Sequence, residues 1–199
     1  MTARRGSGFA PLVCVSLNCA LLVGALLLLA SRAIAAGVIV DRSEIAFTVT
    51  AMGAKFDGRF RKWNADVVFE PASLSKSRAQ VDIDLASVEL AGADTEAEAR
   101  GPLWFDTARF PVARFASTSI ESRGGGRYDV IGRLSLKGVT RDCVVPIIVT
   151  RASNGERIAE GSFALRRLEY RVGEGEWADP GTVAGDVIVR IRMVLAPPG

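Results

Sequence analysis

The chain has 199 residues, 25 of them basic and 22 acidic, and it contains no histidine. Without histidine, the chain can form neither a Ser-His-Asp nor a Cys-His catalytic group, and it cannot ligate zinc through imidazole. Two of its three cysteines lie in the apolar N-terminal segment, and only Cys143 lies beyond it. A single cysteine excludes dithiol redox chemistry, so we expect Cys143 to be a small buried side chain on a strand.

Residues 1–35 have the composition of an export signal. Two arginines precede a run without charge from residue 6 to residue 31, and Ala33 and Ala35 supply the small side chains of a cleavage site. We therefore expect export of the chain and cleavage near Ala35. The alternative is a retained membrane anchor, because the uncharged run has 26 residues and about 20 suffice to span a bilayer.

Removal of this segment changes the net charge of the chain. Three of the 25 basic residues and none of the 22 acidic residues lie in residues 1–35, so the remainder is formally neutral. A neutral chain lacks the basic surface that nucleic-acid binding requires, and we expect no nucleic-acid partner. Residues 36–199 have the length of one domain that can bury its own core.

Alternation of apolar and polar residues with a period of two predicts half-buried β-strands along this domain. The predicted strands cover residues 45–50, 60–69, 81–86, 115–122, 128–137, 143–150, 157–165 and 187–194. Turn-forming residues separate them, for example Gly124–Gly126. One short helix is predicted from Thr95 to about Arg100, with Asp94 as its N-cap. Eight antiparallel strands and one short helix describe an all-β barrel or sandwich, and the alternation alone does not decide between the two.

An unusually aromatic segment, Gly101–Phe115, connects the helix to the next strand, and we call it the aromatic loop. It contains Trp104, Phe105, Phe110 and Phe115 within fifteen residues. Exposed apolar surface is unfavourable in water, so this loop must fold over an apolar surface. That surface is either the core of the domain or the mouth of a cavity. Trp104 and Phe105 would therefore either close such a mouth or be plain core residues, and large aromatic side chains more often take the core role.

Five segments resemble, in the same order, the motifs of the YceI-like family. They are Asp41–Phe47, Phe56–Phe60, the WFD, ARFP and ARF elements of the aromatic loop, Gly132–Thr140, and Arg167–Gly173 with the following Gly175–Asp179. The resemblance covers the chain from Asp41 to about Met193. It implies a secreted, lipocalin-like, eight-stranded antiparallel barrel that binds polyisoprenoids or other lipids. It also places Arg167 at a near-constant arginine of the family, and we expect a salt bridge between Arg167 and Asp106.

The resemblance implies a domain organisation and a function. Residues 1–35 would be the signal, and residues 36–199 a lipid-binding barrel in the bacterial periplasm or outside the cell, with no catalytic residue, metal or cofactor. The ligand would be a long apolar chain, a polyisoprenoid or a quinone-type prenyl chain, in the barrel interior. The predicted ligand contacts are Phe47, Val49, Phe60, Trp63, Phe69, Val81, Ile83, Trp104, Phe105 and Phe115. A solid core made by the same side chains is the alternative.

Other functions remain open from the sequence. Carboxylates near Trp177 (Glu174, Glu176 and Asp179) would allow a hydrolase or isomerase, or a cation or sugar site, although a rim loop shaped by glycines is the favoured interpretation. Asp82 and Asp84 share the polar face of a strand and are expected to be solvated. An accessory role in a membrane redox complex would use the same barrel. Homodimer formation is undecided, and membrane association is expected only through an uncleaved N-terminal segment.

Overall fold

The computed structural model describes residues 37–197, so the predicted export signal lies outside the described residues. This part of the chain forms ten β-strands and one α-helix. The strands are β1 (Glu44–Ala51), β2 (Ala54–Phe60), β3 (Trp63–Val68), β4 (Arg78–Asp84), β5 (Val88–Glu89), β6 (Val112–Gly124), β7 (Arg127–Leu136), β8 (Val139–Arg151), β9 (Arg157–Arg166) and β10 (Asp186–Leu195), and the helix α1 is Ala93–Arg100.

All ten strands of the described residues belong to one antiparallel sheet, in the order β3-β4-β6-β7-β8-β9-β10-β1-β2-β5. The two ends of this order are connected by short pieces of chain, since β2 leads into β3 and β4 leads into β5. Backbone hydrogen bonds also join these bends: Arg61 N donates to Ser87 O at 3.1 Å, and Asp84 N donates to Lys62 O at 3.0 Å. The sheet is therefore curled into a barrel-like form.

The all-β class with one short helix is confirmed, but residues 37–197 form ten strands rather than eight. The two additional strands are β2 and β5, and bends at Arg61–Lys62 and at the 3-10 turn Leu85–Ser87 separate them from β3 and β4. The side chain of Asp84 accepts a hydrogen bond from Ala86 N at 3.0 Å and so favours a turn over continued strand pairing. Leu85 consequently lies in the turn and not on the strand predicted for it, although it is buried.

The hairpin between β6 and β7 shows how the sequence determines a turn. Gly124, Gly125 and Gly126 have φ values of 77°, 60° and 76°, a region that glycine adopts without steric cost. The pairing register runs from Arg114 opposite Ser135 to Gly124 opposite Arg127. The prediction that these glycines form a hairpin turn is confirmed.

Helix α1 begins at Ala93, two residues before the predicted start. Gly92 occupies the N-cap position with φ of 101°, and no side chain caps the helix. The prediction of Asp94 as the N-cap is therefore wrong: Asp94 lies in the first turn, where its charge faces the positive end of the helix dipole. None of the helices in residues 37–197 combines the length and the apolar character needed to cross a bilayer.

Two clusters of buried side chains form the core. One includes Phe69, Ile120 and Leu195, and the other includes Leu85, Leu134 and Tyr170. Phe115 and Cys143 pack against both clusters. Cys143 lies on β8, half-buried, and burial raises the pKa of its thiol. The thiolate is therefore less populated than in an exposed cysteine, in line with the packing role predicted for it.

Tyr170 makes the stability of the domain sensitive to alkaline pH. It is 5% exposed, and burial raises the pKa of its hydroxyl group from 10.0 to about 12. The unfolded chain loses this proton near pH 10, whereas the folded chain keeps it to about pH 12, so the free energy of unfolding falls as the pH rises through this range. In the variant Tyr170→Phe, we expect the decrease in the free energy of unfolding between pH 9 and 12 to be smaller by about 1–3 kcal/mol. Urea denaturation over this pH range measures the difference. An unchanged pH dependence in the variant would contradict this assignment.

Candidate ligand cavity

The curled sheet encloses a cavity of about 480 Å³. Its wall combines the inward-facing side chains of the strands with residues of α1, of the aromatic loop and of the turn at Trp177. Among residues 37–197, every wall side chain is apolar except Thr95, Glu98, Cys143 and Arg167. The volume lies in the range of small-molecule sites, roughly 300–1,000 Å³. An interior this apolar suits a ligand that is itself mostly hydrocarbon.

The cavity opens between β2 and α1. Wall residues that are also exposed to solvent mark an opening. Within the described chain, four wall residues are exposed, and we call them the mouth: Phe56, Ala91, Thr95 and Glu98. The described wall is otherwise buried or half-buried. Phe56, with 45% of its surface exposed, supplies an aromatic side to this mouth, and Glu98 supplies a charged side.

Nine of the ten residues predicted to contact a ligand lie in the cavity wall. They are Phe47, Val49, Phe60, Phe69, Val81, Ile83, Trp104, Phe105 and Phe115. Those on strands lie there because residues two apart in a strand point to the same face, and here that face is the interior. The structure thus brings the predicted residues together around one space, while their contact with a ligand stays a prediction.

Trp63 is the exception: it does not line the cavity, and its contact with a ligand stays a prediction. It is the first residue of β3, directly after the bend at Arg61–Lys62. It is half-buried opposite Ile83 of β4 but lies outside the wall, as does Ala65 on the same strand face. The cavity reaches β3 only at Val67. Trp63, Ala65 and Val67 follow one another at intervals of two and share one strand face, so the cavity ends along β3 before it reaches Trp63.

The aromatic loop lies against this wall. Phe105 N donates to Ala99 O at 3.0 Å, which attaches the loop to the end of α1. The ring centroids of Phe105 and Phe60 are 5.9 Å apart, and those of Trp104 and Trp177 are 5.8 Å apart. Both Trp104 and Phe105 are half-buried. They therefore occupy a position between core and surface, as expected for side chains that cover a cavity.

Trp104 has one unfavourable feature. Its Nε1–H is buried without a hydrogen-bond partner among residues 37–197. A buried donor in this state costs about 1–3 kcal/mol. An outward movement of the indole would let water satisfy the group, so the closed position of Trp104 is less favourable than its packing alone indicates.

The predicted salt bridge between Arg167 and Asp106 is wrong. Asp106 Oδ2 accepts from Arg109 Nη1 at 3.1 Å, within the aromatic loop itself. Arg167 is 0% exposed, and all five of its N–H groups donate to backbone carbonyls. The acceptors are Ala184 O (2.9 Å), Val172 O (3.0 Å), Gly173 O (2.7 Å), Trp177 O (2.6 Å) and Val183 O (2.7 Å).

Arg167 organises one end of the cavity through these bonds. Burial lowers the pKa of its guanidinium group, but an arginine stays protonated at neutral pH. The guanidinium carbon also lies 5.8 Å from the centroid of the Trp104 ring. Arg167 thus connects the segment 172–184 with the aromatic loop, although the sequence suggested a carboxylate partner.

Lys137 performs a similar role that the sequence did not reveal. It is 6% exposed, and its Nζ donates to Leu103 O at 3.2 Å, to Arg171 O at 2.6 Å and to Glu174 Oε2 at 3.3 Å. These bonds hold the aromatic loop against the turn after β9. Lys137 lies in the turn after β7 and has a positive φ of 46°. In the sequence, this position was recognised only as part of a turn-forming Lys-Gly pair.

Two of the three carboxylates near Trp177 make structural contacts. Glu174 pairs with Lys137, and Asp179 accepts from Gly181 N at 3.0 Å and from Thr182 Oγ1 at 3.2 Å. On β4, a hydrogen bond from Arg114 lowers the pKa of Asp82, the opposite of what a general acid needs. No group of three metal-binding side chains is found in the part of the chain that the structure describes.

Comparison with known proteins gives consistent matches. The model of the YceI-like domain matches residues 38–195. A UPF0312 protein of Shewanella denitrificans is 34% identical over 140 residues, which cover 68% of this chain and 71% of that protein. BcnA of Burkholderia cenocepacia has 31% identity and a TM-score of 0.77, covering 80% of this chain and 99% of BcnA. A polyisoprenoid binding domain from Saccharophagus degradans shares the fold at 19% identity, with a TM-score of 0.65 and coverage of 80% and 97%.

The role of Arg167 can be tested against its neighbour. We expect Arg167→Met to lower the free energy of unfolding by more than about 3 kcal/mol, because several buried carbonyl groups would lose their donors. The matched control is Arg166→Met, whose side chain is 75% exposed and contacts Glu169 at 3.3 Å. The control should change stability by less than about 0.5 kcal/mol. Urea denaturation measures both, and equal losses would contradict the assignment.

Proposed function

Because the chain belongs to the YceI-like domain family, we propose that it is a non-enzymatic protein that binds and carries a long apolar lipid. The observation that supports this most directly is the cavity of about 480 Å³ with its almost wholly apolar wall. We propose a polyisoprenoid or a quinone-type prenyl chain as the ligand. The fold shared with a domain described as polyisoprenoid binding supports this choice.

Burial of apolar surface is sufficient to hold such a ligand. At about 25 cal/mol per Å², removing some 400 Å² of lipid chain from water contributes on the order of 10 kcal/mol before ordering costs. The ligand therefore needs no ion pair inside the cavity. Methylene and isoprene units have no polar group that the apolar wall would leave unsatisfied.

We propose that the protein acts after export, in the periplasm. The composition of residues 1–35 supports this, with its positive start, apolar run and Ala-x-Ala site. A prenyl lipid is poorly soluble in the aqueous periplasm, and a carrier with an enclosed apolar cavity would shield it between membranes. Trp104 and Phe105 would then open and close the route to the cavity.

Filling the cavity should remove the lipid. Ala159 on β9 lies in the wall, and Ala164 on the same strand is exposed on the outer face. We expect Ala159→Phe to reduce co-purified lipid at least about fivefold, since the ring occupies the space of the chain, whereas Ala164→Phe should keep it. Native mass spectrometry of the protein purified from exporting cells measures lipid content. No lipid with the wild-type protein, before and after incubation with prenyl lipids, would contradict the proposed function.

The lid hypothesis makes a separate prediction. We expect the double variant Trp104→Ala/Phe105→Ala to stay folded and to lose lipid faster, because the chain would no longer be covered. Its loss of stability should be smaller than the roughly 4–8 kcal/mol typical of a truncated core pair. The comparison is Val81→Ala/Ile83→Ala in the wall. Thermal unfolding and lipid content are measured together, and a folded loop variant with its full lipid complement would refute the lid.

A further inference from the structure

We infer that the cavity selects its lipid by the charge of the head group, and that Glu98 imposes this selection by disfavouring anionic heads. Neutral heads that donate a hydrogen bond, such as alcohols, and cationic heads would be accepted. The inference rests on the proposed function, since it specifies which lipids the same cavity takes. It follows from the position of the head group, from the hydrogen bonding of the Glu98 carboxylate and from the hydrogen bonding and orientation of the basic side chains nearby.

The head group of a bound lipid lies at the mouth. The interior wall is apolar, and a polar group buried there would lose its hydrogen bonds to water. The apolar chain therefore fills the interior and leaves the head beside the exposed wall residues. Two of these, Thr95 and Glu98, carry polar groups, and both belong to α1.

Glu98 is held in place with part of its carboxylate available. Its Oε1 accepts a hydrogen bond from Trp177 Nε1 at 3.2 Å, which fixes the side chain toward the Trp177 side of the mouth. No donor in residues 37–197 is bound to its Oε2. A hydroxyl or ammonium head can donate to this oxygen. A phosphate or carboxylate head would instead place a second negative charge beside it.

The basic groups nearby offer no free donor to an anionic head. Arg167 is the only basic residue in the described part of the wall, and its five N–H groups are all bound to carbonyl oxygens. Lys55 precedes Phe56 on β2, so the alternation of the strand directs it to the outer face. The positive end of the α1 dipole already faces Asp94 and Glu96. An anionic head at the mouth therefore meets the charge of Glu98 and finds no free donor on a basic side chain of the described wall.

The test uses three ligands that share the geranylgeranyl chain: geranylgeraniol, geranylgeranoic acid and geranylgeranylamine. Isothermal titration of the delipidated exported protein at neutral pH should show the alcohol and the amine binding at least about tenfold more tightly than the acid, which corresponds to about 1.4 kcal/mol. Glu98→Gln keeps an oxygen for Trp177 Nε1 and removes the charge. In this variant, binding of the acid should strengthen and binding of the amine should weaken, each by about threefold to tenfold.

The matched control is Asp94→Asn, which removes the same charge from the same helix outside the wall. It should leave the order of the three affinities unchanged. Equal affinities for the three ligands, or a preference for the acid, would overturn the inference and leave the proposed function standing. Equal effects of Glu98→Gln and Asp94→Asn would show that the net charge of the protein, and not Glu98 itself, determines the affinities, and would overturn the inference. Binding of none of the three ligands would overturn both the inference and the proposed function.

Discussion

The structure depends on one buried guanidinium group. Arg167 carries a full charge at a position with 0% exposure, and it is balanced only by the dipoles of five carbonyl groups. Such an arrangement is stable only when every donor is satisfied. Residues 172–184 must therefore fold around the side chain, and their irregular path follows from this requirement. Lys137 is a second buried cation, and its ammonium group donates hydrogen bonds to Leu103 O of the aromatic loop and to Arg171 O.

These two cations allow the domain to keep an apolar space open. A curled sheet of this size would gain contacts by collapsing onto its own interior, because voids reduce dispersion energy. The aromatic loop and the Trp177 turn are instead held at the end of the cavity by hydrogen bonds to buried charges. Different parts of the chain therefore form the cavity and its mouth. The alternating strands form the wall. The fixed loops and α1 determine where the cavity opens and which charge lies at the opening.

Local patterns predicted the strands well and the polar contacts poorly. Phe47, Val49, Val81 and Ile83 line the cavity, as alternation within one strand leads one to expect. Trp63 shares the strand face of Val67 but lies beyond the end of the cavity, a limit that alternation does not determine. The partners of Arg167 were missed because they are backbone carbonyls from up to 17 residues away. Every residue has a backbone carbonyl, so the sequence does not indicate which ones accept the hydrogen bonds. A charged side chain such as that of Asp106 can be recognised in the sequence, and it was therefore assigned, wrongly, as the partner of Arg167.

The distribution of tryptophan gives the protein an optical property. Of its three tryptophans, Trp104 and Trp177 border the cavity with ring centroids 5.8 Å apart, whereas Trp63 lies outside the wall. The emission of an indole depends on the polarity around it, so replacing water by hydrocarbon in the cavity changes two of the three fluorophores and leaves the third as an internal reference. The chain therefore reports the filling of its own interior without an added label.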